Sequence, residues 1–386
     1  MAALVILLIV AGCVAYEFFK GTCVKAFANL IAAVCSVAVA FGFFEVLGNV
    51  IIARLDIRDN AAIIPWVMPS CFLIIALLVF TIFSTITTQI MKKPVDFGDL
   101  PEKIGKCSFG LITGLVTAGA VLAVTAMMPL PSQYPYQRFD ENNLDVKNPS
   151  KVLLNIDGFT TGWANMMSKG SFSSGKSLAF MHADFLDTAF LSRNTDKEIF
   201  NFTSTSVLEI PNKKAVWPGA VGLKDTEENE LTAKTGNLFV IVRMGLKNSS
   251  LTETKKFTPS QVRLICKSDL DTSLAPKGQG QTFFPVGYME SNQQVKVVKI
   301  HDAILIDVTK IIGKTKWIDF LFEIPMDYRP EMIQFKQNNA ALLPAMTTAE
   351  QAPEVISFSD PKPLVEEVEE NADNTENTDD NAETNK

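Results

Sequence analysis

The sequence predicts a membrane α + β protein, with a four-helix transmembrane domain followed by an extracytoplasmic antiparallel β-sandwich. Two observations lead there. Residues 1–131 carry four apolar segments separated by three short polar breaks, and residues 238–324 carry short runs rich in Val, Ile and Phe separated by Gly, Pro, Asn and Ser. The expected division is a transmembrane domain over 1–131, a linker and amphipathic helical region over 132–230, a sandwich over 231–345 and an acidic disordered tail over 346–386.

The apolar segments cover residues 2–19, about 26–53, about 61–91 and 108–130. A helix rises about 1.5 Å per residue, so each reaches the roughly 20 residues needed to cross a bilayer. Hydrocarbon offers backbone amides no water, so helices are the natural solution for such segments. Val10, Ala11, Gly12 and Cys13 look like a lipoprotein cleavage box, but no Lys or Arg precedes the apolar run, so an uncleaved helix is expected.

Orientation follows from the basic residues. The first and third breaks hold Lys20, Lys25, Lys92, Lys93, Lys103 and Lys106, whereas the second holds Arg54 and Arg58 beside Asp56 and Asp59. The positive-inside bias places the first and third breaks in the cytoplasm. Both termini, and everything after Leu130, are then expected outside.

Polar groups within the apolar segments mark either a solute path or a helix contact, because ionisable side chains at membrane depth are costly. The candidates are Glu17, three residues before Lys20, and Glu45 with Asn49, one turn apart. Contact is the favoured reading for Glu45, which lies close enough to Arg54 to reach outward. Pro65 suits a first helical turn and Pro69 bends the third helix. The run Thr81, Ser84, Thr85, Thr87, Thr88 and Gln89 is expected to form hydrogen bonds between helices.

The third break and fourth segment contain Asp99, Lys103, Ile104, Gly105, Phe109, Gly110 and Gly114. Gly110 and Gly114 are four apart and let another helix come close, within the domain or from a second copy, so a homo-oligomer through the fourth helix is one expectation. Together with Lys20 and Gly21 after the first segment, this pattern resembles the colicin V production protein (CvpA) family over residues 1–131. Thr113 stands where that family often has Arg, and four residues rather than three separate Gly105 from Gly110. The resemblance implies a bacterial inner-membrane protein associated with toxin production and export or with envelope maintenance. It carries over no catalytic residue.

Beyond the fourth segment, residues 129–149 read as a linker rich in Pro, Asn and charge. Phe159, Trp163, Met166 and Met167 then recur at helical spacing, which suits either the headgroup layer or packing on the outer domain. Strands are predicted over 238–244, 261–266, 294–299, 303–308 and 317–324. Their order is similar to the immunoglobulin-like modules of bacterial envelope proteins, which implies a binding role at an envelope protein or ligand. The last 37 residues hold twelve Asp or Glu and two Lys, so the net charge of −7 is a property of the tail and the remainder carries +3. Such a tail buries too little apolar surface to offset its chain entropy. No basic patch with interleaved aromatics points to nucleic acid.

Gly170, Gly175, Lys176 and Ser177 fit the phosphate-binding P-loop pattern, in which glycine amides cradle phosphates and Lys reaches the terminal ones. The P-loop requires a preceding buried strand, whereas residues 166–169 continue a helical pattern. A Gly and Ser-rich turn is therefore expected. His182 and His301 are far apart with no nucleophile motif near either and are expected at the surface or in packing. Five of six cysteines lie in or beside the apolar block and only Cys266 lies beyond it, a pattern that suits neither zinc nor an internal disulfide. No cofactor or metal is expected. The function expected is non-enzymatic: bilayer residence with an extracytoplasmic binding module. The alternatives are a small-solute transporter or channel lined by Glu17, Glu45 and Asn49, and a nucleotide-binding protein using residues 170–177.

Overall fold

The computed structural model describes residues 1–91, 97–140, 146, 148–170, 177–193, 198–203, 207–272, 276–311 and 313–360. Four helices, α1 (Ala2–Lys20), α2 (Cys23–Ile52), α3 (Ile64–Ile90) and α4 (Asp99–Met127), are long and apolar enough to cross a membrane. α4 lies between α1 and α2, and α3 packs along α2. Glycines permit the close approach of α1 to α4. A Cβ on Gly110 would come within 3.1 Å of the Val14 Cα, and one on Gly114 within 2.7 Å of the Val10 Cα. Gly105 likewise faces Cys23. The glycine face of α4 is thus covered by α1 and the start of α2 of the same chain.

α4 begins nine residues before the apolar segment expected at 108. Its first turns are polar and serve a neighbour: the Cys23 N–H at the start of α2 donates to Glu102 Oε1 at 2.7 Å, satisfying one of the amides that a helix N-terminus leaves open. Lys20, Lys25, Lys103 and Lys106 therefore share one end of the bundle. The 53–63 turn and the exit of α4 share the other. Lys92 and Lys93 lie outside the described residues.

Three short helices follow, α5 (Ile156–Lys169), α6 (Leu178–Met181) and α7 (Phe185–Leu191). α5 turns its polar side inward: Asp157, Thr160, Thr161 and Ala164 are buried, whereas Phe159 and Met166 are exposed. A Cβ on Gly119 would fall 2.7 Å from the Ile156 carbonyl, so this glycine fixes how near α5 lies to α4.

Among the described residues the β region has thirteen strands: β1 (Leu208–Glu209), β2 (Val216–Pro218), β3 (Lys224–Asp225), β4 (Asn237–Lys247), β5 (Lys256–Phe257), β6 (Val262–Ser268), β7 (Gly280–Phe283), β8 (Pro285–Met289), β9 (Gln294–Val297), β10 (Ile304–Leu305), β11 (Thr315–Pro325), β12 (Tyr328–Phe335) and β13 (Asn339–Leu342). The larger sheet runs β1-β4-β11-β8-β9-β3, with β2 also on β4; the smaller runs β13-β12-β6-β7, and β10 pairs β5. All pairings are antiparallel except β3 with β9. Alternation along the strands builds the core. Val240, Val242 and Met244 of β4 and Phe320 and Phe322 of β11 meet Val262, Leu264 and Cys266 of β6 and Ile333 and Phe335 of β12.

The domain limits differ from the expected ones. β1, β2 and β3 precede residue 231 yet belong to the larger sheet, because their few residues pair with the edges of longer strands. β12 escaped prediction because Pro330 interrupts its pattern; the proline sits at a register shift between Pro330 and Met332, where a missing N–H is tolerated. Residues 346–360, expected in the disordered tail, are anchored on the sandwich. Arg243 and Asp319 form a buried two-pronged ion pair at 2.7 Å in both prongs, and the pair also holds the Glu354 carbonyl and the Ile356 N–H. Residues 361–386 lie outside the described residues.

Candidate functional site

Strand period decides what the outer face of the smaller sheet carries. With Val262, Leu264 and Cys266 facing the sandwich core, Arg263 and Ile265 face outward, as do Met332 and Gln334 of β12. Gln334 and Arg263 are directly opposite in the β6–β12 register. This outer face is covered by α6, whose Phe180 and Met181 pack on Ile265 and Met332. A Cβ on Gly280 would strike the Phe180 carbonyl, so glycine is required where β7 meets α6.

α6 ends at His182, whose N–H donates to the Leu178 carbonyl at 2.8 Å. Its ring lies between Glu45 of α2 and Arg263 of β6. Glu45 Oε1 is 2.5 Å from His182 Nε2, a close polar contact outside in-line hydrogen-bond geometry. Arg263 Nη2 is 3.3 Å from His182 Nδ1 and also donates to Gln334 Oε1. A guanidinium has only donors, so Nδ1 must accept and the ring proton sits on Nε2, toward Glu45. Gln334 in turn donates to the Gln337 carbonyl at 2.9 Å. A polar chain therefore runs from the sandwich through α6 into α2. Arg263 is 94% buried, and burial lowers its pKa to about 10 although Glu45 and Asp184 attract the charge. Its Nη1 has no hydrogen-bond partner.

Two hollows flank this chain and share Phe44, Glu45, His182 and Gln337. The smaller, about 60 Å³, reaches Arg263 and Lys336. The larger, about 460 Å³, is bounded by α2 on one side and by α6, β12 and the start of β13 on the other. That volume lies in the range of small-ligand clefts.

A second polar cluster ties the linker to α5 and α7. The Tyr136 hydroxyl donates to Asp157 Oδ2 and accepts from Arg138 Nη1 at 2.9 Å, and Arg138 Nε meets Asp187 Oδ1 at 2.5 Å. Burial, reinforced by Asp157, holds the Tyr136 hydroxyl above its ordinary pKa. Arg193 caps the end of α4, donating to the carbonyls of Thr125, Ala126, Pro131 and Tyr134.

The sequence-derived candidates fall as follows. Glu17 is buried near the other end of the bundle and accepts from Asn29 Nδ2 at 2.8 Å rather than meeting Lys20. It lines neither hollow, so Glu17 and Glu45 share no path among the described residues. Asn49 joins Glu45 on the larger hollow. The hydroxyls of Thr81, Thr85 and Thr88 do not bridge helices; they bond the Leu77, Thr81 and Thr85 carbonyls of α3 itself, on an exposed stretch of that helix. In the P-loop match, Gly175 and Lys176 lie outside the described residues. Gly170 follows α5, a helix and not a strand, and Ser177 is a buried turn residue before α6. His301 is exposed, and His182 is buried and packed against Phe185, where it also joins two parts of the chain. Arg263 and Gln334 were missed. Alternation in β6 puts Arg263 opposite the core, but nothing local says that this face is covered.

No family model matches the chain, and no curated protein matches it. The CvpA resemblance therefore stands on its motif residues alone. Among solved structures, an uncharacterized β-sandwich protein from Clostridium difficile is similar over 39% of this chain and 91% of its own, at 11% identity and a TM-score of 0.20. A likeness that slight adds nothing to the fold described by the strands themselves.

Proposed function

We propose that this is a non-enzymatic inner-membrane protein of the bacterial envelope, which holds an extracytoplasmic β-sandwich at a fixed attitude on a four-helix membrane domain. The observation that carries the reading is the covered outer face of the smaller sheet. Arg263, His182 and Glu45 join that sheet to α2, so the sandwich stands on the bundle as on a base and not on a free linker. The envelope-maintenance or toxin-export role implied by the CvpA resemblance belongs to this proposal. A binding role is favoured over hydrolysis because His182 is buried between Glu45 and Arg263, with its Nδ1 on the Arg263 guanidinium and its Nε2 turned to a carboxylate rather than to a Ser, Thr or Cys nucleophile.

The bilayer reading is supported by the dense row of exposed apolar side chains on the bundle, including Leu4, Leu7, Leu8, Phe43, Leu77 and Leu78, a surface far beyond what soluble monomers expose. The test is thiol labelling of intact cells with a membrane-impermeant reagent, with Cys107 replaced by Ser. A cysteine at the exposed Val221 of the sandwich is expected to react, and one at Lys103 to react only after lysis. The reverse pattern overturns the orientation, and recovery of the chain in the soluble fraction overturns membrane residence.

A further inference from the structure

We propose that the 460 Å³ cleft between α2 and the smaller sheet receives the amine-bearing head group of a membrane lipid. The inference rests on the bundle spanning the bilayer.

The floor of the cleft is one row of α2, Phe41, Glu45 and Asn49, each one turn from the next. Among the described residues lining the cleft, Glu45 is the only Asp, Glu, Lys or Arg. Its carboxylate has two oxygens, of which His182 contacts one. One turn on, Asn49 Oδ1 is buried without a hydrogen-bond partner. Two acceptors on adjacent turns of one helix call for a donor-rich cation, and a primary ammonium carries three N–H donors. Arg263, the nearest protein cation, is engaged behind Gln334 and lines the smaller hollow instead. An anionic head group would meet Glu45 unfavourably.

The lip of the cleft tells where the ligand comes from. Val46 and Val50, on the next row of α2, line the cleft and are 56% and 49% exposed. They continue into the exposed apolar surface of Phe43 and Leu47, so a head group held at Glu45 can leave its chains against the outside of α2. A soluble amine has no use for that apolar lip. The charge and the lip together specify an aminophospholipid.

The test uses the purified full chain in mild detergent, offered phosphatidylethanolamine or phosphatidylglycerol and examined by native mass spectrometry. Phosphatidylethanolamine is expected to be retained roughly tenfold better, the scale of one charge-assisted hydrogen bond. Val46→Trp, which fills the mouth, and Asn49→Leu, which removes the second acceptor, are each expected to abolish that preference. Both leave the Glu45–His182 contact in place. Equal retention of the two lipids, or an unchanged preference in V46W, overturns the proposal. Displacement of the lipid by an equal concentration of free ethanolamine overturns the lipid source and leaves a soluble amine as ligand. A chain that fractionates with membranes yet fails the lipid test refutes the cleft assignment alone, whereas a chain soluble without detergent refutes the membrane reading beneath it.

Discussion

Replacing Glu45 with Leu is expected to unseat the sandwich from the bundle. Arg263 is already held at an energetic disadvantage. The fall of its pKa to about 10 corresponds, at about 1.36 kcal/mol per pH unit, to a disadvantage of roughly 3 kcal/mol for the buried charge. That balance includes the attraction of Glu45. Without Glu45 the guanidinium keeps Gln334 and His182 as hydrogen-bond partners and Asp184 as a carboxylate influence. Breaking one side of a buried ionic cluster typically costs about 3–5 kcal/mol, whereas replacing the whole cluster by apolar side chains of similar size is often neutral or stabilising. Thermal unfolding of the full chain in detergent should therefore show Glu45→Leu melting lower by roughly 5–15 °C. The triple variant Glu45→Leu, His182→Phe, Arg263→Met should recover most of the loss. A single variant that melts with the wild type, or a triple variant no better than the single, would refute the assignment of this cluster as the joint.

The same cluster has a pH signature. A base whose pKa is lowered by folding, here to about 10, binds fewer protons folded than unfolded from that pH up to the ordinary arginine range, so its penalty is full below about pH 10 and is relieved as pH rises through it. Between about pH 9 and about pH 11 the wild type should gain about 1 kcal/mol relative to Arg263→Met; a constant difference would contradict this. Within the sandwich, Asp319→Ala strands the buried Arg243 and releases the Ile356 amide, for an expected loss of about 3–5 kcal/mol; limited proteolysis should then cut in the 347–359 segment, and an intact segment would argue against the anchor. Gly114→Leu puts a side chain into the backbone of α1 at Val10 and should lower the yield of folded protein in detergent, whereas Gly12→Leu, which meets nothing within 4 Å, should not. Arg193→Ala leaves the Thr125 and Ala126 carbonyls at the end of α4 without their cap, at an expected cost of about 1–3 kcal/mol, read as faster hydrogen exchange at that end of the helix.

Much of the architecture could be read from local pattern, because solvation and strand period act residue by residue. Long uninterrupted apolar runs announced the four helices, and five β-type runs announced β4, β6, β9, β10 and β11, but not the eight-residue β12. Gly110 and Gly114 announced a close helix contact, but not that α1 of the same chain fills it. The short strands β1, β2 and β3 left no signal, since two or three residues owe their conformation to the neighbour they pair with. Nor did residues 346–360, whose polar composition conceals an anchorage on Arg243 and Asp319.

The candidate site divides in the same way. The sequence by itself determined that Glu45 and Asn49 share a helix face at an unfavourable depth, and that residues 261–266 form a strand, without singling out Arg263 within it. Only the tertiary structure decided that His182, far from both in sequence, stands between them, since that meeting depends on which face of the smaller sheet is covered and by what. A charge buried on one element says that a partner is needed; only the packing of three separate elements supplies it.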